Sequence, residues 1–273
     1  MLGAIIGDII GSTYEFNPIK SKEFELFSPG SRPTVMTVAV GLVTAASDCT
    51  DEERYRQDLI RFMRLLGREY PDAGYGKRFI RWLNEGNGAA YHSYGNGSAM
   101  RVSPVGWRAR TLAEAEQLAR WSAEVTHDHP DGIRGAQAVA SAIFLARTTH
   151  DKKRIRGHIA SYYYPMEFRL DRIRASYRFD ATCPGSVPQA IVCFLESTGY
   201  EDAVRNAVSL GGDADTQACI AGAIAEAYYG IPADIQRQGL SYLDSRLSRR
   251  MPRGCIRKKA ADCTGKLPCG RQC

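Results

Sequence analysis

The chain has 273 residues, 44% of them hydrophobic and 24% charged, and a net charge of +6. That length and composition suit one domain with a real core and exclude an intrinsically disordered chain. No apolar run reaches the roughly 18 residues that a bilayer-spanning helix needs, so no membrane segment is expected. The charge is unevenly placed: residues 249–273 carry eight basic residues and the single acid Asp262, which leaves residues 1–248 at −1. The body has no basic footprint, so nucleic acid is not a required partner.

Taken in chain order, the apolar positions repeat with helical spacing almost throughout. The apolar start, 2–10, is interrupted by Asp8 and lacks a basic leader, which argues against a signal peptide. A buried carboxylate costs several kcal/mol unless paired, so Asp8 is expected to have a dedicated hydrogen-bond partner. Residues 34–46 are rich in Val and Ala, and 51–66 place apolar residues at 55, 59, 62, 63 and 66. Thr111 with Glu114 three residues on has capping-box spacing, and Pro130 opens a segment with Ile133, Ala136, Ala140 and Ile143 on one face. Further helices are expected over 188–196, 200–209, 216–229 and 232–247. The prediction is one all-α domain over 1–248, followed by a basic tail, 249–273, that is disordered. Cys255, Cys263, Cys269 and Cys273 crowd that tail without a CxxC pair or a nearby His, a poor pattern for zinc. Cys49, Cys183, Cys193 and Cys219 are scattered through the body, as reduced thiols of a cytoplasmic protein are.

Polar, glycine-rich loops lie between the predicted helices, and chemistry is expected there. In Gly211-Gly212-Asp213-Ala214-Asp215-Thr216, two carboxylates and a hydroxyl form a hard-oxygen set suited to Mg²⁺ or Mn²⁺; the competing reading is that one aspartate merely caps the next helix. Gly95-Asn96-Gly97-Ser98 offers small residues and backbone N–H groups that can receive a phosphate, or forms an ordinary turn. His127-Asp128-His129 offers a metal fragment, a ligand contact or a helix cap. Glu15, beyond Gly11-Ser12, is a general base or an exposed loop acid. Tyr162-Tyr163-Tyr164 reads as packing, with adenine stacking as the alternative.

Together these segments resemble the ADP-ribosylglycohydrolase family, of the dinitrogenase-reductase-activating type. The resemblance spans residues 1–247 and rests on several motifs: Gly-Asp-Ile-Ile-Gly-Ser with Tyr14-Glu15-Phe16, Thr34-Val-Met-Thr37, Gly95 to Gly106, Tyr177 to Pro188, and Asn206 to Thr216. It implies an all-α orthogonal bundle with two divalent metals in a central cleft, and hydrolysis of the bond joining ADP-ribose to its acceptor. It further implies that Asp213, Asp215 and Thr216 are metal ligands, with Thr34 a remnant of the other half of the cage. Asn96, Gly97 and Ser98 would line the diphosphate side, His127, Gly185 and Ser186 would lie near the ligand, and Glu15 would be the catalytic acid of an entrance flap.

One departure stands out. The family pattern places Phe-Thr-Asp-Asp-Thr before Val-Met-Thr, whereas this chain reads Ser31-Arg32-Pro33-Thr34, so both aspartates are missing. A cage reduced to Asp213, Asp215 and a hydroxyl should hold one weak Mg²⁺ or Mn²⁺ and not two. The sequence thus predicts a monomer that takes ADP-ribose or an ADP-ribosylated substrate, with impaired hydrolysis. The alternative is a pseudoenzyme that binds ADP-ribose or a related nucleotide without turnover.

Overall fold

The computed structural model describes residues 1–28, 34–46, 49–85 and 89–252. These form fifteen helices: α1 (Leu2–Ser12), α2 (Val35–Ala46), α3 (Glu52–Glu69), α4 (Lys77–Asn84), α5 (Gly97–Arg101), α6 (Ser103–Arg108), α7 (Leu112–Glu124), α8 (Pro130–Thr149), α9 (Lys152–Tyr162), α10 (Leu170–Ile173), α11 (Cys183–Leu195), α12 (Tyr200–Leu210), α13 (Ala214–Tyr229), α14 (Ala233–Ser241) and α15 (Ser245–Arg250). No strand occurs among the described residues, and the all-α expectation holds; an isolated bridge pairs Gly95 with Thr182.

The centre of the bundle is the pair α1–α13. Every residue of α1 is buried, and α13 is buried from Ala214 along nearly its whole length. They approach closely because Gly3, Gly7 and Gly11 recur every fourth residue along one face of α1. A Cβ on Gly7 would lie 2.1 Å from the Ala218 carbonyl oxygen, and one on Gly11 2.3 Å from that of Ala214. Only hydrogen fits between these backbones. The contact fixes the end of α1, with Asp8, beside the start of α13, with Asp213 and Asp215. Helices α8, α11 and α12 pack around the pair and supply much of the remaining core.

Local chemistry explains several helix starts. Thr111 Oγ1 accepts from the Glu114 amide at 3.1 Å, which is half of a capping box, while the Glu114 carboxylate reaches one residue further back, to the Arg110 amide at 2.6 Å. Pro130 stands in the first turn of α8, where no intrahelical donor is needed.

The structure also differs from the sequence expectation in places. Helix α11 begins at Cys183 and not at Pro188, because Thr182 caps it through the Gly185 amide and the helix then tolerates Pro188 inside. The segment 232–247 is two helices, since Asp244 accepts from the Arg246 and Leu247 amides and starts α15 afresh. The expected domain boundary at 248/249 falls inside α15. Leu247 and Met251 are buried and Arg250 pairs with Glu69 at 2.6 Å, so the folded body continues through Pro252. The rest of the tail, 253–273, lies outside the described residues.

Candidate active site

A cleft of about 490 Å³ opens where the end of α1, the start of α2, the segment 74–79, the loop 91–97 and the start of α13 meet. Its acidic floor is made by a short turn. Gly211 and Gly212 take φ values of +65° and +89°, which non-glycine residues disfavour, and this turn aims Asp213 inward. Asp213 stands at the N-cap of α13, yet its side chain makes no cap bond. It accepts instead from Asn96 Nδ2 at 2.6 Å, and only 5% of the residue is exposed. The capping reading of this aspartate therefore fails.

Glu15, Asp213 and Asp215 each bring a carboxylate oxygen within 4.8 Å of the other two. Burial pushes the Asp213 carboxyl well above its ordinary pKa, the Asp215 carboxylate pushes it further, Asn96 opposes, and Glu15 adds to the rise. Asp215 also accepts from the Thr216 amide at 2.6 Å, and Thr216 lines the cleft beside it. Thr34 lines the cleft too, but its hydroxyl donates to the Asp8 carboxylate, which is the partner Asp8 was expected to have. The Thr37 hydroxyl, one turn along α2, is buried in the same wall and has no partner among the described residues. Three carboxylates with hydroxyls nearby form a hard-oxygen donor set that fits one divalent cation.

The loop 95–98 is fixed by its own network. Asn96 Nδ2 also donates to Ser186 Oγ at 3.0 Å, and Ser186 donates to the Thr182 carbonyl at 2.6 Å. His127 is buried against this loop: a Cβ at Gly97 would lie 3.4 Å from His127 Nε2. Burial, then the charges of Arg101 and Arg78, push the His127 pKa well below its ordinary value, so the ring is neutral. Among the six residues expected at the ligand, Asn96, Gly97 and His127 line the cleft, while Ser98, Gly185 and Ser186 do not, Ser98 and Ser186 being fully buried. Ser98 is fully buried, donating to the Gly132 carbonyl at 2.7 Å. Gly185 is there because the Asp180 carboxylate occupies the space of a side chain, 1.9 Å from where its Cβ would be.

Other candidates lie elsewhere. His129 Nδ1 accepts from the Asp131 amide at 3.1 Å and so caps α8. Tyr163 donates to Glu116 at 2.7 Å, Tyr164 is buried, and none of the three consecutive tyrosines lines the cleft. The sequence reasoning missed Tyr75, Lys77, Arg78 and Tyr91, which do line it, as do Ser12 and Phe179 from the quoted motifs. The glycines of Gly74-Tyr75-Gly76, ahead of a basic pair, were the available signal.

Residues 1–265 match the sequence pattern of the ADP-ribosylglycohydrolase family. The chain belongs to this family. The fit of the ADP-ribosylglycohydrolase pattern to nearly the whole chain agrees with individual relatives. The ADP-ribosylhydrolase ARH3 of Homo sapiens is 28% identical, over 85% of this chain and 84% of its own length. The ADP-ribosyl-[dinitrogen reductase] glycohydrolase of Rhodospirillum rubrum is 25% identical, over 92% and 91%. The ADP-ribosylarginine hydrolase Tri1 of Pseudomonas putida is 25% identical, over 85% and 70%. The fold is shared with a solved ADP-ribosylglycohydrolase-related protein complex, at a TM-score of 0.61 and 23% identity over 92% of this chain and 91% of that one. No helix among the described residues is long and apolar enough to cross a membrane.

Proposed function

We propose that the chain hydrolyses the glycosidic bond joining ADP-ribose to an acceptor, with one Mg²⁺ or Mn²⁺ held by Asp213, Asp215 and Thr216 beside Glu15. The observation that carries this reading is the gathering of three carboxylates on the cleft floor, within 4.8 Å of one another. Like charges this close repel, and a fold that buries one of them tolerates the arrangement where a cation offsets it. A cation bound there would supply polarisation of ligand oxygens and a more acidic water.

The chain's own residues do the rest. The line Thr182–Ser186–Asn96–Asp213 is hydrogen-bonded throughout, so Asp213 is held in one orientation before any ligand arrives. Glu15, half-buried on the turn after α1, is the carboxylate to accept the proton of an attacking water. Asn96, Gly97 and the neutral His127 form the wall against which the nucleotide lies. We place the protein in the cytoplasm as a monomer; its four described cysteines, Cys49, Cys183, Cys193 and Cys219, are buried and free, which supports a reducing compartment.

The half-cage read from the sequence leads us to propose one cation and a rate below that of relatives with the Thr-Asp-Asp segment. The positions where that segment would lie, 29–33, are outside the described residues. The test is release of ADP-ribose from ADP-ribosyl-arginine and ADP-ribosyl-serine peptides with Mg²⁺ or Mn²⁺, beside the Rhodospirillum rubrum enzyme. The expected result is slow, metal-dependent release that Glu15→Gln reduces by roughly 10²–10⁴-fold, the usual weight of a general base. ADP-ribose binding with no release from either peptide would overturn hydrolysis in favour of a binding protein.

A further inference from the structure

The cleft is lined by both signs of charge: Asp8, Glu15, Asp213 and Asp215, and also Lys77, Arg78 and Arg101. Contacts order the wall between them: Asp213 holds Asn96, the adjoining Gly97 abuts His127, the His127 and Tyr91 rings lie 5.9 Å apart, and the Arg78 guanidinium sits 5.0 Å above the Tyr91 ring. Arg78 also donates to the Tyr91 carbonyl, so it is pinned by its own wall rather than by an acid. Arg101 is fully buried, gives its hydrogen bonds to the neutral oxygens of Ser122 and Thr126, and keeps an unpartnered Nε. Among the described residues neither arginine has an ion pair. This corner is thus cationic and lacks a counter-charge.

We infer that Arg78 is a specificity-determining residue that holds the diphosphate of the ADP-ribosyl group, joined to the acid cluster through the wall of Asn96, Gly97, His127 and Tyr91. The inference rests on the ADP-ribosyl reading above. A planar guanidinium with one N–H engaged and its plane fixed over a ring presents its remaining donors to a phosphate with little ordering cost. Arg101 is less suited to that part: it reaches the cleft lining but is buried, and its hydrogen bonds are committed to Ser122 and Thr126. Burial also lowers its pKa to about 10, as expected of a cation without an anion beside it. Lys77 adds charge to the lining but has no fixed geometry.

The test is calorimetric titration of the whole chain in metal-free buffer with ADP-ribose, adenosine and inorganic pyrophosphate, so that binding does not pass through the acid cluster. Arg78→Gln should weaken ADP-ribose binding by roughly tenfold to a hundredfold, the range for a hydrogen bond to a charged group, and leave adenosine unchanged. Arg78→Lys should fall between. The melting temperature of Arg78→Gln should match the parent, since the side chain is exposed. ADP-ribose binding by Arg78→Gln within about twofold of the parent, or an equal loss for adenosine, overturns the assignment. If the parent binds pyrophosphate in an Arg78-dependent way but not ADP-ribose, the anion site stands and the ADP-ribosyl reading falls. If the parent binds neither, both fall.

Discussion

Asp213 illustrates how a single side chain can be costly to the fold and useful to the site. It is buried, faces the carboxylates of Asp215 and Glu15, and accepts a hydrogen bond from Asn96. Asp213→Asn keeps the shape and can still accept from Asn96, but removes a like charge. In metal-free buffer this variant should melt higher than the parent by roughly 2–4 °C, the shift that about 1 kcal/mol produces in a domain of this size. It should also lose any stabilisation by Mg²⁺ or Mn²⁺. A variant that melts lower, or keeps the metal effect, would show that the acid cluster is structural. Ser186 acts at one remove: Ser186→Ala frees one Asn96 N–H, so it should lower turnover while leaving the cleft walls in place.

Elements hold these residues in register, and the closest tolerance is between α1 and α13. Gly7→Ala would drive a methyl to 2.1 Å from the Ala218 carbonyl, where the neighbour is backbone and cannot swing away. The expected loss is about 3 kcal/mol, the upper end for overpacking, measured by urea unfolding. Gly157→Ala on α9 meets nothing within 4 Å and should be neutral or stabilise by up to about 1 kcal/mol. Comparable losses for both would remove the packing argument. The segment carrying Glu15 is tethered in another way. Lys20 donates to the Tyr177 and Leu210 carbonyls, Lys22 pairs with Asp202, and Arg205 donates to the Lys22 and Phe24 carbonyls at 2.7 and 2.9 Å. Burial raises the Asp202 carboxyl, but Lys22 and Thr198 together more than offset this and hold it below its ordinary value. A depressed carboxylate contributes stability above its unfolded pKa of about 4, and loses it as pH falls through the folded value. The melting difference between parent and Asp202→Asn should therefore be full at pH 7 and vanish on acidification below about pH 4; a difference that persists in acid would deny the tether a charge component. Much of this level was legible in advance. Helical spacing announced α2, α3, α7, α8 and α12, and Thr111 gave the start of α7. Polar α4 and α9 were not, because only Phe79, Trp82 and Leu83 of the first and Ile155 and Ile159 of the second reach the core. The Gly3, Gly7, Gly11 repeat was present in the sequence, but its partner helix was not.

Across the whole molecule, several distant stretches of chain build one cleft, and this limits what a linear pattern can tell. The Asp213–Thr216 turn, Asn96, His127 and Glu15 could be singled out because their loops carry polar residues where packing needs none. Tyr91 could not, since nothing in its local sequence distinguishes a cleft wall from a surface; Arg78 had only the weak signal of the preceding glycines, and Phe179 only its place in the Tyr177 to Pro188 motif. Ser98, Gly185 and Ser186 stood within recognisable motifs but do not line the cleft, a distinction that needs three dimensions. The same assembly sets the strength of metal binding. With Asp213, Asp215 and Thr216 as its protein ligands, a cation keeps most of its water, and a dissociation constant near 1 mM is the proposal. Linkage then gives about 1.4 kcal/mol of stabilisation at 10 mM Mg²⁺, or roughly 3–6 °C in melting temperature for a protein of this size. Rebuilding the chain as Arg-Phe-Thr-Asp-Asp-Thr before Val35 supplies two more carboxylates just ahead of α2 in the sequence. Each tenfold gain in affinity should add about 1.4 kcal/mol to that stabilisation, and ADP-ribose release should rise with it. Asp213→Ala in the rebuilt chain should cancel both gains, because tighter binding needs ligands from both halves of the cage. If the parent already shows micromolar Mg²⁺ affinity and the rebuilt chain gains nothing, acids already in the cleft complete the site, with Glu15 the first to replace.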